Sequence, residues 1–490
     1  MLEEYHSEAV ANEAINTDVE LNKAAFKKIF NCCSDIVFRD VQLAGQNRWL
    51  IVYLSSLVEE KTIEDHVLKP LINVKPEDES VEKVSAGSTT VASTISDIVR
   101  YVLEGHAALF TNGESDALIV KSSGSAAQRS PEEPTSEPVI RGPRDGFIES
   151  ISTNIALIRK RIKSSRLKTE SFKIGRLTQT ETVITYIDGI ASESMLDEIR
   201  KRVTRIQIDG VIDSGYIEEF IEDDPYSLFP QVHSTERPDV VASELLEGRI
   251  GILVDTSPFV LIVPMTFWTG LQASEDYYVR WPIATFTRWI RFMFIFFAIF
   301  APSLYVAITT FHQEMIPTNL VLSIASSREP VPFPALVEAF LMEIIFEALR
   351  EAGIRLPKQI GQAISIVGGL VIGQAAVQAG IISAPVVIIV SITGIATFTI
   401  PRYSLASGIR LLRFPMIFIA GTLGLYGVIL GFLVILVHIT SLRSFGVTYF
   451  APTPFTLVDL KNVLFRAPKW ASKHHLQQTA PDNRNREPKG

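Results

Sequence analysis

The stretch PFPALVEAFLMEIIFEALREAGIRLP (332–357) runs straight into KQIGQAISIVGGLVIGQAAVQAGIISAPVVIIVSITGIATFT (358–399), and the reading of these two pieces decides the fold. The first has the apolar spacing of an amphipathic helix but carries Glu338, Glu343 and Glu347 within it. The second is two apolar runs, 360–380 and 381–400, each of the ~20 residues that cross about 30 Å of hydrocarbon. Glu343, Glu347 and Glu351 share one helix face by i,i+4 spacing, and Glu338 lies elsewhere. Carboxylates inside a membrane segment mark a polar path or specific pairs. The alternative is a helix lying on the surface, or local pairing of Glu347 with Arg350 and Glu351 with Arg355. In the helix that follows, Gln362, Ser365, Gly369, Gly373, Ala376 and Gly380 line one face. Such a stripe suits close helix packing, and a pore wall has the same pattern.

Outward from that stretch the chain stays apolar. Residues 292–311 form another span, with Pro302 inside it, which kinks the helix unless a neighbour satisfies the freed carbonyl. Residues 414–439 form the last span, while Pro317, Pro330, Pro332 and Pro334 break 316–334. Arg280, Arg288 and Arg291 flank the first span, and Arg402, Arg410 and Arg413 precede the last, so both sites read as cytoplasmic. An even number of crossings must then separate them, which makes 335–349 a crossing too, the alternative being a segment that dips in without crossing and breaks the rule. The expectation is about five membrane segments within 289–440 and a C-terminal tail (441–490) disordered from about residue 467; parity faces that tail outward, while Arg443, Lys461, Arg466 and Lys469 point the other way, so its side stays open.

The first 288 residues are of a different kind, rich in charge and in mixed helix and strand patterns. Residues 1–120 read as one α+β subdomain: a strand at 48–57, helices at 62–71 and 91–103, and a hairpin over 106–120 turning at Asn112–Gly113. KSSGSAAQRSPEEPTSEP opens a Ser/Pro/Glu linker, 121–139. A second α+β subdomain, 140–288, starts with a helix for which Asp145 is the expected N-cap, its apolar face formed by Phe147, Ile151, Ile155 and Ile158. Arg159, Lys160, Arg161, Lys163, Arg166 and Lys168 follow as a basic cluster, read as a solvated helix end or a contact for anionic lipid. GRIGILVDTSPFVLIVP (248–264) is apolar enough to resemble a span, but Asp255-Thr256-Ser257-Pro258 splits it into a buried hairpin. Tyr277, Tyr278 and Trp281 stand before the first span as interfacial anchors. The fold class expected is multi-domain: a cytoplasmic α+β N-terminal region in two subdomains, then an α-helical polytopic membrane domain.

Composition narrows the function. The mean hydropathy of +0.24 averages a charged half and an apolar half, and a net charge of −8 carries no nucleic-acid signature. No phosphate-binding loop, dinucleotide fingerprint, metalloprotease motif or nucleophile elbow is present, so neither an enzyme nor a cofactor is expected. Adjacent Cys32 and Cys33 favour neither a relaxed disulfide nor a metal site. The acidic N-terminus lacks a signal-peptide core, which keeps the charged half cytoplasmic. A secondary transporter is disfavoured because no internal repeat or paired broken helix is visible.

RGPRDGFIESISTNIALIRKRI, SLFPQVHSTERPD, EGRIGILVDTSPFVLIVP, EDYYVRW and the run from FHQEMIPTNLVLSIASSREP through VIGQAAV resemble the A subunit of GerA-type bacterial spore germinant receptors, over about 141–452. The resemblance implies a place in the spore inner membrane beside a transporter-like B subunit that binds the nutrient and a lipoprotein C subunit. It also implies a homo-oligomer acting as a nutrient-gated cation channel. Close paralogues serve dipicolinic-acid transport, and a non-conducting membrane scaffold is a further alternative.

Overall fold

The computed structural model describes residues 14–42, 48–69, 89–120, 133–134, 136–355 and 371–450, together with 463, 465, 466, 468 and 470. Two compact units emerge: Met1–Glu222 with Val232–Pro264, and Asp223–Gln231 with Met265–Ser472. The α+β class expected for the N-terminal region and the helical class expected for the rest both hold. Most of the 121–139 linker and the tail beyond 470 lie outside the described residues.

The first unit contains two five-stranded antiparallel sheets. One is formed by α1 (Val19–Ile29), β1 (Ile36–Gln42), β2 (Arg48–Leu54), α2 (Glu60–Ile63), β3 (Thr89–Ala92), α3 (Ile95–Leu103), β4 (Ala107–Thr111) and β5 (Ala117–Val120), with strand order β1-β2-β4-β5-β3. The other is formed by α4 (Ile151–Arg161), β6 (Leu167–Ile174), β7 (Thr180–Ile187), α5 (Glu193–Arg205), α6 (Ser214–Ile221), β8 (His233–Thr235), α7 (Pro238–Leu245), β9 (Ile250–Val254) and β10 (Val260–Val263), with order β6-β7-β9-β10-β8.

These are one topology used twice. Each half runs helix, strand, strand, helix, strand, helix, strand, strand, with a second helix (α6) added before the third strand of the second half, and the third strand returns to the far edge in both. Matching loops have matching lengths: 93–94 and 236–237, 112–116 and 255–259. The repeat leaves no trace in the sequence because a pleated core demands only alternating apolar residues and turn formers, which many sequences supply.

Local chemistry moved several boundaries. The helix expected over 91–103 begins at Ile95, because Thr89–Ala92 pairs along β5 and Thr94 caps the helix through Asp97 N. The expected N-cap Asp145 instead receives both bonds from Arg161 Nη2, at 2.6 Å each, and Ser150 occupies the cap position of α4. Both expected hairpins form, with Gly113 at φ +92° in the first.

The basic cluster is mostly internal wiring. Arg159 is fully buried and grips Asp35 with Nε and Nη2 at 2.5 and 2.6 Å. Lys168 donates to Ile29 O and Arg166 to Asp188 O, while Lys160, Lys163 and Arg166 are exposed. The Asp35–Arg159 pair joins the two sheets' subdomains, since Thr169 at the start of β6 also donates to Asp35 and exchanges backbone bonds with Cys32 and Ser34. Burial would raise the Asp35 carboxyl, but the charge and bonds of Arg159, with Ser56 and Thr169, hold it below the usual carboxylate range.

The second unit is a helical bundle: α8 (Trp281–Phe311), α9 (Thr318–Arg328), α10 (Ala335–Arg355), a helical run at 371–378, α11 (Ala384–Phe398) and α12 (Tyr403–Ser441). Among the described residues, α8 and α12 are long and apolar enough to cross a membrane, and α11 is apolar but only 15 residues long.

The single span expected over 414–439 is a hairpin. Gly424 has φ +63° and ψ −145°, which leaves the helix. A Cβ on Gly431 would lie 2.4 Å from Met416 Sδ, and one on Gly427 2.6 Å from Ile419 O, so the chain doubles back. The arms, 403–423 and 425–441, are about 30 and 25 Å long at 1.5 Å per residue.

Contacts within this unit define its two ends. Gly424 sits against Phe311 and His312, at the C-terminal end of α8. At the other end, near Trp281, Trp268 Nε1 donates to Phe450 O, Trp289 stacks edge-on with Phe465, and Arg466 N donates to Thr285. Phe450, Phe465 and Arg466 therefore lie at the end where the chain enters α8.

Candidate functional site

The three glutamates of α10 occupy three different settings. Glu338, near the start of the helix, is 1% exposed and accepts from Ser383 N at 3.0 Å, Ser383 Oγ at 2.7 Å and Arg328 Nε at 3.2 Å. Ser383 is the N-cap of α11, so the carboxylate faces the positive end of that helix. Glu347, toward the other end, binds Arg350 Nε and Nη2 at 3.0 and 2.9 Å, and Arg410 Nε lies 3.5 Å from its Oε1.

Glu343 is at the centre. It is fully buried, and Arg413 Nη1 donates to its Oε2 at 2.6 Å while Thr393 donates to Oε1 at 3.3 Å. Arg413, 1% exposed, sends Nη2 to Thr397 Oγ1 at 2.9 Å and Nε to Ala298 O at 2.8 Å. That last acceptor exists because Pro302, four residues on, has no N–H to give it. One guanidinium thus satisfies the carbonyl that the proline frees, neutralises the central carboxylate and ties together α8, α10, α11 and α12. Removing two such charges from water is costly, and the added hydrogen bonds are what make the arrangement tolerable.

Arg413 was read from the sequence as one of three cytoplasmic flags, and the structure makes it an internal counter-charge. Arg410 is likewise inside α12, 7% exposed, with its guanidinium over the Tyr403 ring. Arg288 and Arg291 are also not free flags, since both pair with buried Asp276 at 2.7–3.0 Å. A count of positive residues sees only composition, whereas a carboxylate at Glu343 with no nearby cation in its own helix was the signal that a distant arginine had to reach it. Thr393 and Thr397, one turn apart, were missed for the same reason.

The small-residue face is described only in part. Gln362, Ser365 and Gly369 lie outside the described residues. A Cβ on Gly373 would meet Val387 at 3.4 Å, and Ala376 packs on the cluster of Met342, Ile382, Val386 and Val390. Gly394 and Gly421 make closer approaches, to Phe346 and Leu336, where a Cβ would sit 2.4 and 2.7 Å from side-chain carbons. Among the described residues no group of His, Cys, Asp and Glu is placed to hold a metal ion.

Comparison with known proteins gives consistent matches. The family profile described as Bacillus/Clostridium GerA spore germination protein matches residues 24–478. The uncharacterized membrane protein YfkQ of Bacillus subtilis (strain 168) is 50% identical over 445 residues, 89% of this chain and 86% of that one. Spore germination protein KA of the same organism is 44% identical over 489 residues, 97% and 89% of the two chains. Spore germination protein A1 is 42% identical over 431 residues, 87% and 89%. The crystal structure of the N-terminal domain of the A subunit of the Bacillus megaterium spore germinant receptor GerK3 is 34% identical, with 52% of this chain and 98% of that chain covered at a TM-score of 0.42.

Proposed function

The chain belongs to the GerA family of spore germination proteins, and on that footing we propose that it is the membrane subunit of a nutrient-germinant receptor, oligomerising into a nutrient-gated cation channel that triggers germination. The observation that carries the reading is the Glu343–Arg413 pair, bonded to four helices inside an apolar unit. A plain anchor has no use for a buried charge pair, whereas a polar route through lipid needs one. In this reading α8, α10, the apolar run 360–380, α11 and both arms of α12 make six crossings of the spore inner membrane, an even number, and the α+β region and the C-terminal tail share the cytoplasmic side. Its partners are lipid, a nutrient-binding B subunit, a lipoprotein C subunit and further copies of itself, with Gln362, Ser365, Gly369, Gly373 and Ala376 lining the pore. Cation flux into liposomes carrying the purified protein, reduced by bulky residues at Gly369 or Ser365, is the expected result. Flux at background level refutes the channel.

One observation favours a non-conducting scaffold instead. Gly373 and Ala376 pack against α11, which is what helix packing alone requires. Undiminished germination in spores whose only copy carries the bulky substitutions supports the scaffold.

A further inference from the structure

The face that α10 turns toward the 403–423 arm repeats every four residues. Leu336 packs on Gly421, and Phe340 meets Phe414 with ring centroids 5.5 Å apart. Ile344 continues that apolar row at the same spacing. Beside it Glu343 and Glu347 receive Arg413 and Arg410, and Glu351 continues the acidic row. A face with this period is nearly unchanged by a translation of one helical turn, about 5.4 Å. The acidic row also has one carboxylate more than the facing arm has arginines. Glu351 pairs with Arg355, and the two side chains are 54% and 78% exposed, so little holds it in place. Arg413's remaining bonds go to α8 and α11, and sliding α10 does not break them.

We propose that α10 has a second register against this arm, one turn away, in which Arg413 pairs with Glu347 and Arg410 with Glu351. The exchange keeps both arginines paired while it releases Glu338 from Ser383 and Arg328 and Glu343 from Thr393, so the present register is the more stable of two discrete ones. It moves Glu343 to the level now held by Ala339, which packs with Val306 and Ile417. A carboxylate at that level without an arginine draws water into the apolar layer. The resting register is dry and the shifted one wet. This deepens the gated-subunit reading and rests on it, because the shift is the opening step.

Cysteine cross-linking of the full-length protein in native membranes tests the register without measuring flux. A short bis-maleimide is used, and products are identified by peptide mapping with Cys32 and Cys33 left in place. Phe340→Cys with Phe414→Cys reports the resting register, and Ile344→Cys with Phe414→Cys reports the shifted one. The first product should exceed the second at least tenfold. Glu343→Gln should raise the second at least tenfold, because Arg413 then finds its carboxylate at Glu347, and adding Glu351→Gln should abolish the rise. Thr393→Val removes a bond from Glu343 while keeping its charge, and should move the ratio the same way by a smaller factor even if Glu343→Gln does not fold. Ratios unchanged by Glu343→Gln and Thr393→Val, or a rise that survives Glu351→Gln, overturn the proposal. A failed flux assay leaves the register result standing, and a failed cross-link leaves the channel reading standing.

Discussion

The bond from Arg413 to the carbonyl that Pro302 frees can be isolated by a double-mutant cycle. Arg413→Met removes three donors at once. Glu343 is left as an uncompensated buried charge, a loss of about 3–5 kcal/mol, and Ala298 O is left without a donor, a further ~1–3 kcal/mol. Pro302→Ala changes only the second term, because residue 302 then donates to Ala298 O in the ordinary helical way. Taken alone it should be close to neutral with respect to the carbonyl, whose oxygen accepts both donors. Arg413→Met should therefore cost less in the Pro302→Ala background than in the natural sequence. Side-chain hydrogen bonds in membrane proteins average ~0.6 kcal/mol and reach about 2, so the expected coupling is about 1 kcal/mol. Reversible unfolding of the four detergent-solubilised proteins in increasing dodecyl sulfate, followed by helical circular dichroism, gives the four free energies. Coupling within about 0.3 kcal/mol of zero would mean that Arg413 answers only to Glu343 and that the proline is incidental.

Three further outcomes follow from the same geometry. Asp35→Asn leaves Arg159 buried without its partner and should lower stability by about 3–5 kcal/mol at neutral pH. Because the folded carboxyl titrates below its unfolded value near ~3.9, the natural protein should lose that stability as pH falls below about 4, and the variant's melting temperature should vary less there. Burial, with the charges of Glu222, Asp213 and Glu219, pushes Glu218 up to about 7. The folded state thus holds a proton there that the unfolded chain releases above about 4.3. Glu218 therefore weakens the fold as pH rises from there to 7, and Glu218→Gln should raise the melting temperature at pH 8 but not at pH 4. Gly424→Ala places a Cβ 3.0–3.2 Å from His312 and Phe311 at a positive φ, and should cost ~2 kcal/mol or more, read as a lower unfolding midpoint in dodecyl sulfate.

Periodicity and turn chemistry carried the local structure because they act over a few residues. The hairpins at 107–120 and 250–263 were legible from Asn112–Gly113 and Asp255–Pro258. The division into a charged α+β region and an apolar helical one was legible from hydropathy alone. The motifs in 141–452 also pointed to the family that the chain proved to match. Each of these depends on what a residue prefers beside its chain neighbours, so one dimension suffices.

What only the tertiary structure decided concerns partners far apart in the chain. Arg159 reaches back to Asp35, Ser383 to Glu338, and Arg413 to both Glu343 and Ala298. The fold-back at Gly424 depends on which helix surfaces meet, and a glycine in an apolar run looks the same whether it packs or turns. The repeated sheet topology was hidden because backbone pairing fixes the order of strands while leaving the side chains free to vary. A buried charge must find its counter-charge wherever the fold brings one, and sequence distance places no limit on that search.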